Sequence, residues 1–351
     1  MTSDVFTHPW LSGLFGDDEQ AHHLSGATTL VHMLLVEAAY ARALGSVGQV
    51  SADTADQTAA RIIKFQPDMD GLRRGTAQDG VVVPSLIRQL RSTLPEELHP
   101  ALHTGMTSQD VVDTSLVLSL IPVLDLFEDR IKALMTELDM LRDTYGNRPL
   151  IGRTRMQAAL PIALAHRIEG WRVPLQSQFD RLGDLRNRVL VLQLGGPVGD
   201  RSSFGNQHEA IARDMAARLG LHEPGHAWHT NRDGLCELGA WLVRVTNNLG
   251  KLGADMALMA QQGLDEIALR GAGTSSAMPH KNNPILAETL ITLARYNAVQ
   301  LAGLNVAGLH EQERSGSAWA LEWMVLPSMI QTTGRALILA QQLCVSIDRL
   351  G

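Results

Sequence analysis

Residues 108–143 read SQDVVDTSLVLSLIPVLDLFEDRIKALMTELDMLRD. The large apolar residues of this stretch include Leu116, Leu120, Val123 and Phe127. Their spacing of i, i+4, i+7 and i+11 places them on one face of an α-helix. A helix of this length is seldom stable alone in water, so its apolar face has to pack against other helices. The stretch therefore predicts a protein built from long, packed helices.

Four further stretches have the same apolar periodicity and contain little glycine or proline. They are residues 154–190, 232–264, 284–312 and 318–349. Together with the first stretch they predict a long-helix bundle domain over residues 101–351. The interruptions between them are where functional side chains are expected, because loops carried by a rigid scaffold commonly hold the chemistry.

The N-terminal part of the chain is broken more often by Gly, Pro and Asp. Helices are predicted there at about residues 26–45, 52–64 and 83–94. The prolines at 95 and 100 mark a boundary. The sequence therefore predicts an all-α fold in which a small N-terminal helical domain, residues 1–100, precedes the bundle.

Composition and charge exclude several classes of protein. The net charge of −7 leaves no basic footprint for nucleic acid. Cys236 and Cys344 are too few for a disulfide framework, which favours a reducing cytoplasm. No secretory signal opens the chain, and no apolar stretch looks long enough to span a bilayer. We expect a soluble cytoplasmic protein without nucleic-acid or membrane partners.

The segment GAGTSSAMPHKNNP, residues 271–284, combines flexible small residues with a cation. Asn283 and Pro284 are a preferred N-cap and a preferred first helical residue, so a helix is expected to begin there. A mobile serine, Lys281 and a helix N-terminus together suit an anionic intermediate. The alternative is an ordinary solvated linker.

The same segment resembles the signature GSSxMPxKxNP of the fumarase/aspartase superfamily, with Thr274 at the position of its last glycine. The resemblance implies that Ser275 transfers a proton at the carbon next to a carboxylate. It also implies that Lys281 is catalytic, stabilising the developing charge, and that Ser276 and Asn283 bind substrate.

The segment HTGMTSQD, residues 103–110, enters the long helix described first. Thr107 or Ser108 can cap that helix, with an aspartate in its first turn. Continued by Val-Val-Asp113-Thr114, the segment resembles the superfamily region HxGxTSQDxxDT. The resemblance implies that Thr107, Ser108 and Gln109 grip a substrate carboxylate, whereas the simpler interpretation is a helix cap alone.

The segment GRTRMQ, residues 152–157, resembles a second superfamily region, GxTHxQ. Gln157 matches, but Arg155 stands where the histidine is usual. A lyase expelling an amine needs a general acid, whereas a carboxylate leaving a lactone has a pKa near 4 and needs none. Arg155 therefore favours cycloisomerisation and is expected to bind substrate, as is Gln157. The alternative is a structural arginine paired with a carboxylate.

Two more segments are similar to 3-carboxy-cis,cis-muconate cycloisomerases, namely HPWLSGLFGD at 8–17 and HEQERSGSAWALEW at 310–323. Arg314 is the candidate there for a substrate carboxylate. The resemblance implies conversion of 3-carboxy-cis,cis-muconate to 4-carboxymuconolactone, in the protocatechuate branch of the β-ketoadipate pathway. It also implies no cofactor, a homotetramer with sites shared between subunits, and absence of the superfamily's C-terminal third domain.

Several alternatives remain open at this stage. They are a superfamily lyase acting on an adenylosuccinate-like substrate, a cycloisomerase for a sulfonated muconate, and a structural protein that reuses the fold. The segment HEPGH at 222–226 fits the zinc motif HExxH literally. Pro224 and Gly225 oppose the single helix that this motif requires, so no metal site is predicted.

Overall fold

The computed structural model describes residues 4–271, 273, 278 and 281–351. The helices are α1 (Ser12–Phe15), α2 (Asp18–His23), α3 (Gly26–Ser46), α4 (Ala52–Ile63), α5 (Met69–Asp79), α6 (Val83–Thr93), α7 (Ser108–Tyr145), α8 (Leu164–Val189), α9 (His208–Leu219), α10 (Asp233–Met259), α11 (Ile285–Ala307) and α12 (Gly316–Val345). The strands are β1 (Pro149–Thr154), β2 (Gln157–Ala163), β3 (Ile267–Leu269) and β4 (Ile347–Leu350). Short 3-10 helices occupy Glu96–Ala101 and Ser202–Gln207.

The long helix α7 has the buried face that its sequence predicts. Leu120, Val123 and Phe127 are fully buried. Leu116 lines a cavity of about 320 Å³ between α7, α3, α12 and the α5–α6 connection. With 38 residues, α7 is about 57 Å long at 1.5 Å per residue.

The bundle has two ends that matter for function. Arg232, just before α10, bonds to Asp113 near the start of α7 and to Glu322 near the start of α12. We call this the Gln109 end. At the opposite end, where α7, α10 and α12 finish, Arg148 donates to the carbonyl of Leu350 at 3.0 Å. We call this the hairpin end, because it carries β1 and β2.

The described part of the chain is mostly helical, which agrees with the predicted all-α fold. It also contains two small antiparallel sheets, β1–β2 and β3–β4. The helix predicted at 154–190 begins only at Leu164, and residues 154–163 belong to the hairpin. These residues pair with β1 instead, with Pro161 opposite Ile151. Pro161 favours extended backbone at the residue before it, although α7, α8 and α12 each accommodate a proline.

The N-terminal helices agree with the sequence prediction. Those expected at 26–45, 52–64 and 83–94 are α3, α4 and α6. Helix α5 was not predicted, because its two glycines and its polar composition weaken the periodic signal. Division into domains at residue 100 stays a prediction.

The expectation that no apolar stretch could span a membrane was too strong. By length and composition alone, Asp18–Ser46 reaches the length and mean hydropathy of a membrane-spanning helix. In its most apolar 18-residue stretch, 44% of the residues are buried inside the protein. In the structure, Val36, Tyr40 and Leu44 of this stretch are almost completely buried in the core. A buried core helix passes the same test of length and hydropathy, so the test alone is weak evidence for a membrane span.

Candidate active site

The start of α7 is held by Asp110. Thr107 is the N-cap, as expected, and its backbone N–H donates to Asp110 Oδ2 at 3.0 Å in a capping box. The carboxylate also accepts from the backbone N–H of Gly195 at 2.7 Å and of Gly196 at 3.0 Å. His229 Nε2 lies 2.8 Å from Asp110 Oδ1. Asp110 therefore connects the 107–109 turn to two other loops.

Gln109 is fully buried, and its amide orientation is set by its partners. The side-chain N–H₂ donates to the carbonyl of His229 at 2.8 Å and to Asp113 Oδ2 at 3.2 Å. The amide oxygen accepts from Arg314 Nε at 3.0 Å. The structure thus brings Gln109 and Arg314 into contact, although 205 positions separate them in the sequence. Gln109 therefore orients the guanidinium of Arg314, and its expected contact with a substrate carboxylate stays a prediction.

Arg314 itself is exposed at the tip of this arrangement. One of its terminal nitrogens donates to the carbonyl of Pro197 at 3.2 Å. The following residue, Ser315, caps α12 through its side chain. Neither the carbonyl of Pro197 nor the amide oxygen of Gln109 neutralises the guanidinium charge of Arg314. Arg314 can therefore meet a carboxylate from solvent.

A buried ionic triad beneath Gln109 was missed by sequence reasoning. Arg232 forms a two-point contact with Asp113, at 2.6 and 3.2 Å, and another with Glu322, at 2.6 and 2.9 Å. All three side chains are at most 2% exposed. Trp319 also donates to Asp113 Oδ1 at 3.0 Å. Asp113 and Glu322 lie inside segments singled out above, but nothing in the sequence pairs them with Arg232.

The electrostatics of the triad follow from its burial. Burial raises the pKa of Glu322, and Arg232 offsets only part of that effect. Burial alone would lower the pKa of Arg232, but Asp113 and Glu322 raise it above its usual range. Arg232 is therefore a permanent buried cation, and its two hydrogen bonds hold the Asp113 carboxylate in place beside Gln109.

His103 joins the N-terminal helices to this end of the bundle. Its Nδ1 lies 2.6 Å from Glu37 Oε1, and Glu37 is completely buried. Burial acts to lower the pKa of His103, but the charge and hydrogen bond of Glu37 outweigh it and raise the pKa. The turn is held a second time by Tyr40, whose hydroxyl donates to the carbonyl of Thr104.

Arg155 and Gln157 lie at the hairpin end, Arg155 on the connection between β1 and β2 and Gln157 at the start of β2. Thr154 pairs with Gln157, which leaves Arg155 and Met156 as a two-residue turn. Both have positive φ, +50° and +66°, as a type I′ turn requires. Gln157 is exposed. No described carboxylate pairs with Arg155, so the structural ion pair considered above finds no partner in the described ranges.

Lys281 and Asn283 also lie at the hairpin end. Asn283 and Gly273 exchange two backbone hydrogen bonds of 2.9 Å. Helix α11 begins at Ile285, with Pro284 as its N-cap, so the expected capping by Asn283 was wrong. The backbone of Asn283 pairs with Gly273 instead, and its carbonyl also accepts from the backbone N–H of Ile285 at 2.9 Å. Ser275 and Ser276 lie outside the described residues.

The predicted site residues therefore fall into two groups within one chain. Thr107, Ser108, Gln109 and Arg314 share the Gln109 end. Arg155, Gln157, Lys281 and Asn283 share the hairpin end. Helix α10 runs from the Gln109 end to the hairpin end and is about 40 Å long at 1.5 Å per residue.

The HEPGH segment is not helical. His222 donates its backbone N–H to the carbonyl of Leu190 at 3.0 Å, and Glu223 accepts from Arg201 at 2.8 Å. Among the described residues, no three His, Cys, Asp or Glu side chains are grouped so that they could hold a metal ion.

Comparison with known proteins identifies the family to which this chain belongs. A family model described as Lyase matches residues 13–299. The chain belongs to this lyase family. A 3-carboxy-cis,cis-muconate cycloisomerase of Acinetobacter baylyi is 31% identical over 93% of this chain and 74% of its own length. Another of the same name, from Pseudomonas aeruginosa, is 36% identical over 85% of this chain and 66% of its own length.

The fold of this chain is shared, over almost the whole length of this chain, by a solved structure. It is the 3-carboxy-cis,cis-muconate lactonizing enzyme of Pseudomonas putida, with a TM-score of 0.90 and 33% identity. The superposition covers 97% of this chain and 77% of that one. The family resemblance inferred from the sequence motifs is thereby confirmed.

Proposed function

We propose that the protein is a cycloisomerase that converts 3-carboxy-cis,cis-muconate to 4-carboxymuconolactone. The observation that carries the proposal is the similarity to proteins of that name, at 31% and 36% identity over most of the chain. The agreement of fold with the lactonizing enzyme of Pseudomonas putida supports it.

The residue at 155 favours this reaction over elimination of an amine. Ring closure uses a carboxylate of the substrate as nucleophile, and the reverse reaction expels that carboxylate. Neither direction needs a general acid at the oxygen, because a carboxylate is stable without its proton at neutral pH. The cation of Arg155 can guide the moving carboxylate, a task for which a proton donor is not required.

The proposed chemistry balances with one proton. An oxygen of the distal carboxylate bonds to the conjugated carbon, and the π electrons move to the carbon next to a second carboxylate. Lys281 stabilises the resulting enediolate, an electrostatic contribution that is often the largest in catalysis. Ser275 delivers the proton to that carbon and regains one from water. Each turnover therefore takes up one proton from solution.

We propose that the active enzyme is a homotetramer with shared sites. The two groups of site residues lie at opposite ends of α10, which is about 40 Å long, while a tricarboxylate of this kind is far shorter. Residues of the Gln109 end and the hairpin end can therefore meet around one substrate only if they come from different chains.

The assay combines two signals. Mixing the protein with 3-carboxy-cis,cis-muconate is expected to remove the ultraviolet absorbance of the conjugated diene while a pH-stat records the uptake of one proton for each diene lost. Adenylosuccinate serves as the alternative substrate, because its elimination takes up no proton. Turnover of adenylosuccinate with an unchanged muconate would overturn the proposal.

The role of Ser275 has its own test. Ser275→Ala is expected to abolish turnover while the melting temperature and the oligomeric state stay as in the wild type. Ser92→Ala, which changes an exposed serine on α6, is the matched control and keeps full activity. Near-normal turnover by Ser275→Ala would remove the serine from the mechanism.

A further inference from the structure

A cavity of about 410 Å³ lies beneath the tip of the hairpin. It is bounded by the β1–β2 turn, the first part of α8, the last turns of α10 and the chain that follows α10. Its apolar wall includes Leu258, Met259 and Leu264. Its charged lining residues are Arg153, Arg155, Arg167, Lys251, Asp255 and Glu266.

The charges of this lining do not balance. Arg153 is bonded to Glu266, and Lys251 to Asp255. Asp255 also accepts from Trp171 Nε1 at 2.8 Å. Both acids are thereby occupied.

Two guanidinium groups remain over this cavity, Arg155 and Arg167. Neither forms a hydrogen bond or an ion pair with any residue of the described ranges, so the lining carries four cations against two acids. An excess of two positive charges stands out in a chain whose net charge is −7. Repulsion between like charges raises the free energy of such a pair unless an anion is bound.

The turn that carries Arg155 points to the same conclusion. A type I′ turn favours Asn-Gly, because both central residues need positive φ. Here an arginine and a methionine occupy the two positions, at about 1–2 kcal/mol each for a residue with a Cβ. Strain of this kind is characteristic of functional sites.

We propose that this cavity is a carboxylate subsite, in which Arg155 and Arg167 together bind one carboxylate of an organic polycarboxylate against an apolar wall. Arg167 is thus a specificity-determining residue that the sequence motifs do not include. Guanidinium groups suit the task, since they bind carboxylates with two parallel hydrogen bonds. The identity of the ligand as the muconate substrate rests on the function proposed above; the subsite itself does not.

The subsite predicts how a variant changes the kinetics. A group that binds the same carboxylate in the ground state and the transition state contributes to KM and leaves kcat unchanged. Arg167→Met is therefore expected to raise KM for the muconate about tenfold or more, with kcat within about threefold of the wild type. Arg181→Met removes an exposed arginine from the same helix and is the matched control, with KM within about twofold.

A binding experiment separates the subsite from the proposed reaction. The unreactive probe 1,2,3-propanetricarboxylate is titrated by calorimetry into the full-length wild type, Arg167→Met, Arg167→Lys and Arg181→Met. We expect weaker binding for Arg167→Met by about tenfold, partial recovery for Arg167→Lys, and no change for Arg181→Met. Circular dichroism and gel filtration establish that each variant is folded.

The outcomes are distinct. If the probe binds in an Arg167-dependent way while the muconate is not turned over, the subsite holds and the proposed reaction fails. If the muconate is turned over but both KM and probe affinity are indifferent to Arg167, the subsite is overturned and the reaction stands. Failure of the folded wild type to bind the probe also overturns the subsite. Should Arg167→Met not fold, the affinity of Arg155→Met for the unreactive probe decides in its place, since that readout involves no reaction.

Discussion

Arg314 shows how a single side chain can be exposed and yet oriented. Its guanidinium is open to solvent, but Nε donates to the buried amide oxygen of Gln109 at 3.0 Å. The amide of Gln109 is in turn held by Asp113 and by the carbonyl of His229. This arrangement lowers the entropic cost of presenting a cation to a carboxylate.

Replacing Arg314 should affect binding more than stability. For Arg314→Gln we expect loss of about 1.5–3 kcal/mol of substrate binding, which lowers kcat/KM by about tenfold to a hundredfold. The free energy of unfolding should fall by about 1 kcal/mol, because the buried amide oxygen of Gln109 loses its Arg314 donor. Steady-state kinetics and urea unfolding give both quantities. A variant that loses stability but keeps its KM would indicate a structural role instead.

The strained hairpin turn predicts opposite effects on stability and activity. Arg155→Asn combined with Met156→Gly replaces two residues of positive φ by the residues that tolerate it best, so stability should rise by about 1–2 kcal/mol. Substrate binding should weaken, because Arg155 is lost. Met156→Gly alone is the control, expected to gain stability and keep its activity. Thermal unfolding and KM measurements test this, and an unchanged KM in the double variant contradicts it.

At the scale of elements, one arginine joins the starts of three long helices. Arg232 precedes α10, Asp113 lies in α7 and Glu322 in α12, all nearly inaccessible to solvent. Removing the cation leaves two buried carboxylates without their partner. Because an unpaired buried charge is costly, the triad stabilises the relative positions of these helices only as long as it is complete.

Arg232→Met should therefore be strongly destabilising, by about 3–5 kcal/mol in urea unfolding. Arg213→Met, which breaks an exposed ion pair of 4.0 Å with Glu209, is the matched control and should cost less than about 1 kcal/mol. Adding Glu322→Met to Arg232→Met should recover part of the loss. Strict additivity of the two changes would mean that the residues do not act as a pair.

The contact between α3 and the turn before α7 predicts a pH dependence. The pKa of His103 is raised above its ordinary value of 6.5 by Glu37. Between the unfolded and folded pKa values the native state binds more protons, so stability falls as pH rises. The stabilisation by His103 is complete below about pH 6.5 and is lost as pH rises through the folded pKa.

Unfolding free energies measured from pH 6 to pH 9 can test this contact. The difference between the wild type and His103→Gln should be largest at the acid end and shrink toward the alkaline end. Taking the difference cancels the titration of the other histidines. A difference that grows with pH would show that His103 is neutral in the folded protein.

At the scale of the whole molecule, the separated groups of site residues predict complementation. Arg314→Gln removes a residue of the Gln109 end. Ser275→Ala changes the proposed proton donor, which belongs to the same 271–284 segment as Lys281. If sites are shared between chains, tetramers assembled from both variants contain some sites with neither defect. Mixed, denatured and refolded together, the two proteins should regain activity that neither has alone. Refolding each variant separately is the control, and absence of regained activity contradicts shared sites.

Local periodicity was enough to predict most helices of this protein. Apolar spacing located α3, α4, α6, α7, α10, α11 and α12 within a few residues, because each buries one face and the spacing records that face. The motifs around Gln109, Gln157 and Lys281 indicated the family for a similar reason, since they are contiguous in the chain. The region 154–163 failed because its apolar residues do not distinguish a hairpin from a helix, and only Pro161 argued against the helix.

Tertiary structure alone decided which distant side chains meet. The contacts of Arg232 with Asp113 and Glu322, of Arg314 with Gln109, and of Glu37 with His103 join residues 66 to 205 positions apart. No periodic pattern encodes such pairs, because they depend on how whole helices pack. The same holds for Arg167, which has no partner in the part of the chain that the structure describes and whose charge stands out only once its neighbours around the cavity are known. Sequence thus determined the elements and the family, and packing determined the electrostatics of the site.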